Sequence, residues 1–356
     1  MDRAAEQTAP GPTAAGTAAG PAAPGTAGPA VPAGPAPTRP RLRTRALAWA
    51  AGPLLSVPAA VTACRAAWTD AVTPVPQLLS ALPWLTVPAG LALLLAAAAR
   101  RRGLALLAAT VLIATAWASL PYTPPGGAVH GTPVARIRVL AANVEYGAAA
   151  PAVIDLARRE RPHLLYVSEC GPSCARTLDA ALSRQLPYRV SVDAPGAGGS
   201  VLLSAHPLRD RSAVPAAMGM PGATADIAGR AVRVQLAHPA PPVPGQVGRW
   251  KAELARLGDA LPDGLPAIVA GDFNASQDHA AFRTLLSRHF LRDAARVTGA
   301  SRTPTWPTEG PLPPYVQIDH VLATPDVLTP VATRFLPLPG SDHRAVLADL
   351  DLHDGR

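Results

Sequence analysis

Residues 1–40 are almost entirely Ala, Pro, Gly and Thr, with Val31 the one branched apolar residue. Such a stretch buries too little surface to offset its ordering entropy, so residues 1–45 read as a disordered tail. Three uncharged apolar runs follow, at 46–63, 78–99 and 104–120. Crossing the hydrocarbon core takes about 20 residues, with about 17–25 tolerated. The runs therefore predict three transmembrane helices, with Trp49 and Trp117 at interfacial positions. The competing reading is a buried helical hairpin of a soluble protein, to which the Ala content and Pro53, Pro58, Pro83 and Pro88 lend some support. Residues 121–133, with Pro121, Pro124, Pro125, Gly126 and Gly127, read as a linker.

From residue 134 to 356 the pattern changes to short apolar runs alternating with amphipathic ones. Strands are predicted at 137–144, 163–169, 188–192, 200–204, 231–238, 267–274, 318–323 and 345–352. Helices are predicted at 151–160, 175–185, 248–260 and 279–295. Mixed strands with interleaved helices indicate a layered α/β domain.

Composition sharpens the division. Charged residues make up 16% of the 356-residue chain and apolar residues 49%, whereas soluble domains carry about 25% charged residues. The formal charge is +8, which invites a nucleic-acid partner. Its location argues otherwise. Residues 1–130 hold nine Arg against three acids, and residues 131–356 hold 23 basic against 21 acidic residues. Arg39, Arg41, Arg43 and Arg45 precede the first apolar run, and Arg100, Arg101 and Arg102 separate the second from the third. The positive-inside rule places both clusters in the cytoplasm. Three spans then put the C-terminal domain outside, at the plasma membrane. Cys170 and Cys174 are either two independent thiols or a local disulfide, the latter requiring an oxidising compartment. Two such cysteines, with no second Cys/His cluster, do not make a zinc site.

Polar residues cluster at the C-terminal ends of the predicted strands, where open α/β sheets present ligands. They are Asn143, Glu169, His238, Asp272 with Asn274, Asp319 with His320, and Asp342 with His343. Each alone is readable as a turn, rim or capping residue. In order, however, Gly271-Asp-Phe-Asn274, Ile318-Asp-His320 and Gly340-Ser-Asp-His343 resemble the signature blocks of the endonuclease/exonuclease/phosphatase superfamily. That group includes DNase I-like nucleases, neutral sphingomyelinases and inositol polyphosphate 5-phosphatases. Asn143 and Glu169 resemble its two N-terminal blocks.

The resemblance implies a DNase I-like four-layered α/β sandwich and a Mg²⁺-dependent hydrolase, with Mn²⁺ as an alternative ion. It makes Glu169 the principal metal ligand, Asn143 an ancillary one and Asp342 a contributor. Asp272 would orient or deprotonate water, Asn274 would hold a phosphoryl oxygen, and Asp319 would orient a phosphate-contacting His343. His238 would act as an acid toward the leaving oxygen. Here Leu236-Ala-His238 stands where the family often has Asn-Thr-His, so a polar support for His238 is missing. Gln317 and Ser204-Ala-His-Pro207 also replace basic residues. The three-span layout further resembles actinobacterial VanJ-like membrane proteins linked to teicoplanin resistance.

The near-neutral C-terminal domain weighs against long nucleic acid, which demands a basic surface. The leading expectation is a phosphodiesterase or pyrophosphatase working beside the bilayer on a lipid-linked or cell-envelope phosphate. The alternatives are an extracellular nuclease and a non-catalytic module that binds a phosphorylated ligand.

Overall fold

The computed structural model describes residues 39–120, 131–311 and 313–354. Residues 1–38 of the expected tail and 121–130 of the expected linker lie outside the described residues. Four helices come first: α1 (Arg39–Ala66), α2 (Val75–Ser80), α3 (Thr86–Ala98) and α4 (Arg102–Ser119). Helix α1 starts inside the expected tail and continues through Pro53 and Pro58. The middle apolar run differs from the expected single span. It is divided into α2, a short 3₁₀ turn at Leu82–Leu85, and α3. Pro76, Pro83 and Pro88 each fall in a first turn, where the missing N–H is not needed, so they start new segments. Two helices, Leu42–Ala66 and Arg102–Ser119, are long and apolar enough to cross a membrane. Leu82–Ala98 is shorter at 17 residues.

The rest builds two six-stranded sheets. Its elements are β1 (Pro133–Asn143), α5 (Ala150–Glu160), β2 (Leu164–Ser168), α6 (Pro172–Leu182), β3 (Tyr188–Val192), β4 (Ser200–Ser204), β5 (Leu208–Ala213) and β6 (Pro221–Ile227). They continue with β7 (Arg230–Ala237), α7 (Val247–Asp259), β8 (Ala267–Asp272), α8 (Ala280–Arg288), β9 (Arg292–Asp293), α9 (Ala294–Val297), β10 (Asp319–Ala323), β11 (Leu328–Leu336) and β12 (Ala345–His353). One sheet has the order β11-β12-β1-β2-β4-β3 and the other β5-β6-β7-β8-β10-β9.

Alternation along the strands sorts the core into three seams. Ile137, Leu164, Tyr166 and Leu202 meet Val232, Val234, Ile268 and Val321 between the sheets. The opposite faces of β2 and β4 pack under α5 and α6 through Leu165, Val167, Val153 and Leu178. Val269 and Leu322 pack against Trp250, Leu254 and Phe282 of α7 and α8. Helix, sheet, sheet and helix layers result.

Strands β5, β6 and β11 were not expected from the hydrophobic pattern. Strand β6 is made largely of small residues, and β11 carries Pro330 at a register shift against β12, which an edge strand accommodates. The helix expected at 279–295 stops at Arg288, because Phe290 turns the backbone left-handed at φ 49°, and Arg292–Asp293 joins the second sheet.

The first helices lock onto the sandwich through buried charge. Asp278 accepts from Arg65 Nε at 2.7 Å and from both terminal nitrogens of Arg302, while Arg302 also donates to the Ala118 carbonyl. Asp70 is buried, accepts from the Ala281 N–H at 2.7 Å and pairs with Lys251 at 3.0 Å. His279 Nε2 lies 2.8 Å from the Pro76 carbonyl, and Gln77 donates to the Pro242 carbonyl. Removing one partner of a buried pair leaves the others uncompensated. Asp278→Ala should therefore cost about 3–5 kcal/mol, measured by denaturant unfolding of the full chain in detergent. A loss no larger than the roughly 0–1 kcal/mol of a surface pair would show that Asp278 does not hold this junction.

Candidate active site

Parallel pairing of β1 with β2, and of β7 with β8, brings four strand ends to one edge of the sandwich. Asn143 ends β1, Glu169 follows β2, His238 follows β7 and Asp272 ends β8. Strand β10 runs antiparallel to β8, with Asp319 directly opposite Asp272. His343 lies two residues before the antiparallel strand β12 and so arrives at the same edge. His320 is the next residue along β10, so its side chain takes the other face. There it is clamped between Asp293 and the Ala275 carbonyl at 2.8 and 2.9 Å, packed against Phe282. It holds the strand from behind the site.

The backbone is shaped for this convergence. Glu145, Tyr146, Glu169 and Asn274 all have positive φ, between 43° and 58°, a left-handed conformation costly for side chains such as Glu and Tyr. Gly271, at φ 140°, lies where an added Cβ would come 2.3 Å from the Ala237 carbonyl oxygen. Only glycine lets β7 and β8 approach here.

Hydrogen bonds link the side chains. Asn143 Nδ2 donates to Glu169 Oε1 at 3.1 Å and to Asp272 Oδ2 at 3.2 Å, and its Oδ1 accepts from the Glu145 N–H. The other Glu169 oxygen accepts from the Tyr146 N–H. Asp272 Oδ1 accepts from the Asn274 N–H at 2.8 Å, and Asn274 Nδ2 donates to the Pro239 carbonyl. His343 Nδ1 meets Asp319 Oδ2 at 2.9 Å, leaving Nε2 to face Asp272 and Asp342 at 3.9 and 3.7 Å. Asp342 in turn accepts from Trp306 Nε1 at 2.8 Å, and its N–H donates to Glu145.

Charge in this low-dielectric place shifts the titrations. Burial opposes protonation of His343, but Asp319, Asp272 and Asp342 outweigh it and push the imidazole up to about 10. Burial pushes Asp272 up to about 7, helped by the facing Asp319 and opposed by His343. His238 is driven down to about 3 by burial and by the neighbouring His343, and its Nδ1 has no hydrogen-bond partner. The missing polar support read from Leu236-Ala-His238 is visible in that unpaired nitrogen. Burial and His343 thus oppose the protonated form that the expected acid role of His238 would use. Its Nε2, 3.9 Å from Glu169 Oε1, is suited to hydrogen bonding without a charge.

These groups line a cleft of about 610 Å³. Its lining includes Glu145, Glu169, Asp272, Asp342 and His343 together with Met218, Pro242, Trp306, Tyr315 and Val316. Gln77 and Ser80 of α2 line it too. Glu145, Tyr146, Trp306 and this α2 wall escaped the sequence reading. Glu145 sits two residues beyond Asn143, a proximity that is the one available signal, whereas Trp306 lies in a Pro-rich loop with none.

The donor set suits a hard cation. Glu169, Asp272, Asp319 and Asp342 supply four carboxylates against one imidazolium, and oxygen donors are the ligands of Mg²⁺. Glu169 offers a carboxylate in the cleft, with Asn143 beside it. Asp272, Asp319 and His343 also bring their ligand atoms within 4.8 Å of one another. His343 is committed there to Asp319, so we read that trio as a proton-holding group.

The folded His343 binds its proton more tightly than an unfolded histidine with a value of about 6.5. The stabilisation from this pairing is therefore complete below about 6.5 and is lost as pH rises toward about 10. Histidine-labelled NMR should find His343 still protonated at pH 8, and Asp319→Asn should move its titration downward. A wild-type midpoint at the ordinary histidine value would refute the pairing.

The model of the endonuclease/exonuclease/phosphatase family matches residues 140–343. A search of curated protein sequences returned no match. Among solved structures, TDP2 of Danio rerio, humanised by 14 mutations, superposes with a TM-score of 0.51 at 13% identity, covering 61% of this chain and 99% of that one. An endonuclease/exonuclease/phosphatase from Beutenbergia cavernae gives 0.50 at 23% identity, over 61% and 72% of the two chains. A family protein from Leptotrichia buccalis gives 0.51 at 12% identity, over 61% and 100%. The structural likenesses show the fold, and the family model spans the strand-end residues from Asn143 to His343. The chain belongs to the endonuclease/exonuclease/phosphatase family, whose members are metal-dependent enzymes that hydrolyse phosphoester bonds.

Proposed function

We propose that this chain is a membrane-anchored, outward-facing Mg²⁺-dependent phosphoesterase acting on a phosphodiester or pyrophosphate of a lipid-linked or envelope substrate. The observation that carries the reading is the composition of the cleft. Its lining combines the charged groups Glu145, Glu169, Asp272, Asp342 and His343 with apolar and aromatic residues such as Met218, Pro242, Trp306 and Val316, and includes Gln77 and Ser80 of α2, between the two long apolar helices. A phosphate head joined to an apolar body matches that mixed lining.

The helices support the anchor. Trp49, Val87, Leu94, Leu106, Ile113 and Trp117 are all at least 66% exposed, which a lipid surface would cover. Arg45, Arg100, Arg101 and Arg102 gather with Trp49 around one cavity, whereas Arg65 and Ala118 contact the sandwich. Arg45 and Arg65 are separated by roughly 30 Å of helix, about the hydrocarbon thickness. The basic end then faces the cytoplasm and the sandwich faces outward. The two long helices fit as spans, with Leu82–Ala98 as a shorter third. A disulfide joins Cys170 and Cys174, in keeping with an oxidising compartment. A role in glycopeptide resistance rests on the VanJ-like resemblance.

In the reaction, Asp272 accepts a proton from the attacking water, and its upward-shifted titration places it near the working pH of a base. Asn274 stands beside it to contact a phosphoryl oxygen. Protonated His343, oriented by Asp319, opposes the charge of the phosphoryl group. Neutral His238 offers a hydrogen bond at the far side, next to Glu169. Mg²⁺, held by Glu169 with Asn143 beside it, would supply Lewis-acid neutralisation of phosphate charge. The apolar walls take the rest of the substrate. The near-neutral balance of residues 131–356, 23 basic against 21 acidic, weighs against long nucleic acid.

Full-length protein in detergent with Mg²⁺ should hydrolyse bis(p-nitrophenyl) phosphate and release product from a long-chain lipid phosphodiester faster than from an oligonucleotide. Asp272→Asn should lower kcat about 10²- to 10⁴-fold, the span for a general base, with little change in KM. Binding without turnover would leave a phosphate-sequestering module, and efficient cleavage of DNA alone would leave a nuclease.

A further inference from the structure

A second cavity, of about 620 Å³, lies between α1 and α4 where they meet the sandwich, and shares no lining residue with the catalytic cleft. Its walls are Ala114, Trp117, Ala118 and Leu120, and its polar members are Thr62, Arg65 and Arg283. Two cations thus line an otherwise largely apolar slot. Their compensation is incomplete. Asp278 is the carboxylate of Arg65 and is shared with Arg302. Arg283 has no carboxylate within ion-pair distance among the described residues. Its Nη1 donates to the Arg65 carbonyl at 3.1 Å, and its guanidinium lies 3.6 Å over the Trp68 ring. An aromatic face and a carbonyl orient a guanidinium and leave its charge available.

We propose that this cavity binds the phosphate headgroup of one anionic phospholipid, with Arg283 and Arg65 at the phosphate and an acyl chain along α1 and α4. The proposal rests on the membrane-anchored reading. Charge complementarity selects an anionic head, and the apolar walls continuous with exposed Trp117 and Leu120 select a lipid over a soluble anion. Trp68 and Trp117, 48% and 74% exposed, flank the slot as interfacial side chains do. The bound lipid would seat the sandwich on the outer leaflet beside the helices.

The test is native mass spectrometry of the full chain in a non-ionic detergent, titrated with dioleoylphosphatidylglycerol or dioleoylphosphatidylcholine. The background carries Arg45→Ala, Arg100→Ala, Arg101→Ala and Arg102→Ala, which removes the basic residues around the other cavity. One phosphatidylglycerol should be retained about fivefold better than phosphatidylcholine, the ratio expected for one surface-level cation. Arg283→Ala should abolish the preference, and the exposed control Arg288→Ala should keep it. Ala114→Phe, which fills the slot with both Arg in place, should abolish it as well. Equal retention of the two lipids, or a preference that survives Arg283→Ala and Ala114→Phe, would overturn the site. The membrane reading fails on a separate result, a chain that stays monodisperse with no detergent.

Discussion

Two buried carboxylates, Asp272 and Asp319, face each other across adjacent antiparallel strands. Like charges so placed repel, and neither has bulk water to absorb the field. The arrangement holds because His343 donates from Nδ1 to Asp319 and turns Nε2 toward Asp272. The rest of the site follows from accommodating this charge. Asp272 is pushed toward neutrality, His343 is held as a cation, and nearby His238 is kept neutral. Glu169 and Asp342 add further negative charge to the same cleft. Such a site is matched to a divalent cation and a phosphate together.

Sheet topology sets the distances. The two parallel pairings, β1 with β2 and β7 with β8, turn four chain segments outward at one edge, and β10 and the loop before β12 enter there from the opposite direction. The same edge is approached by α2, which is held by His279, Gln77 and the buried Asp70. The N-terminal helical segment is thereby part of the cleft. Gln77 and Ser80 give the cleft a polar wall from outside the sandwich.

Much of this was legible in the chain, because the chemistry sits at the ends of strongly apolar strands. Asn143, Glu169, Asp272 and Asp319 follow or open such strands and were readable in order. The disulfide was one of two readings of Cys170 and Cys174. Local pattern failed where tertiary context decided. Pro330 disguised an edge strand, small residues disguised β6, and Phe290 ended a helix whose periodicity continued. The prolines of the middle apolar run were visible, but not their effect of dividing one expected span into three segments. Trp306 reaches the site from a Pro-rich loop to which no spacing rule points, and Glu145 is marked only by its place two residues beyond Asn143. The unpaired Nδ1 of His238 is the reverse case, a defect readable from one neighbouring residue type.

The most direct test of the central claim is the thermal unfolding of wild type and Glu169→Gln with and without Mg²⁺. An ion that binds the folded state raises Tm by mass action, and removing one of several crowded carboxylates relieves repulsion. The predicted result is a Mg²⁺-dependent rise in wild type, a Tm for Glu169→Gln in the absence of metal at or above that of wild type, and no rise on adding the ion. A wild-type Tm indifferent to Mg²⁺, or a rise that persists in Glu169→Gln, would contradict it.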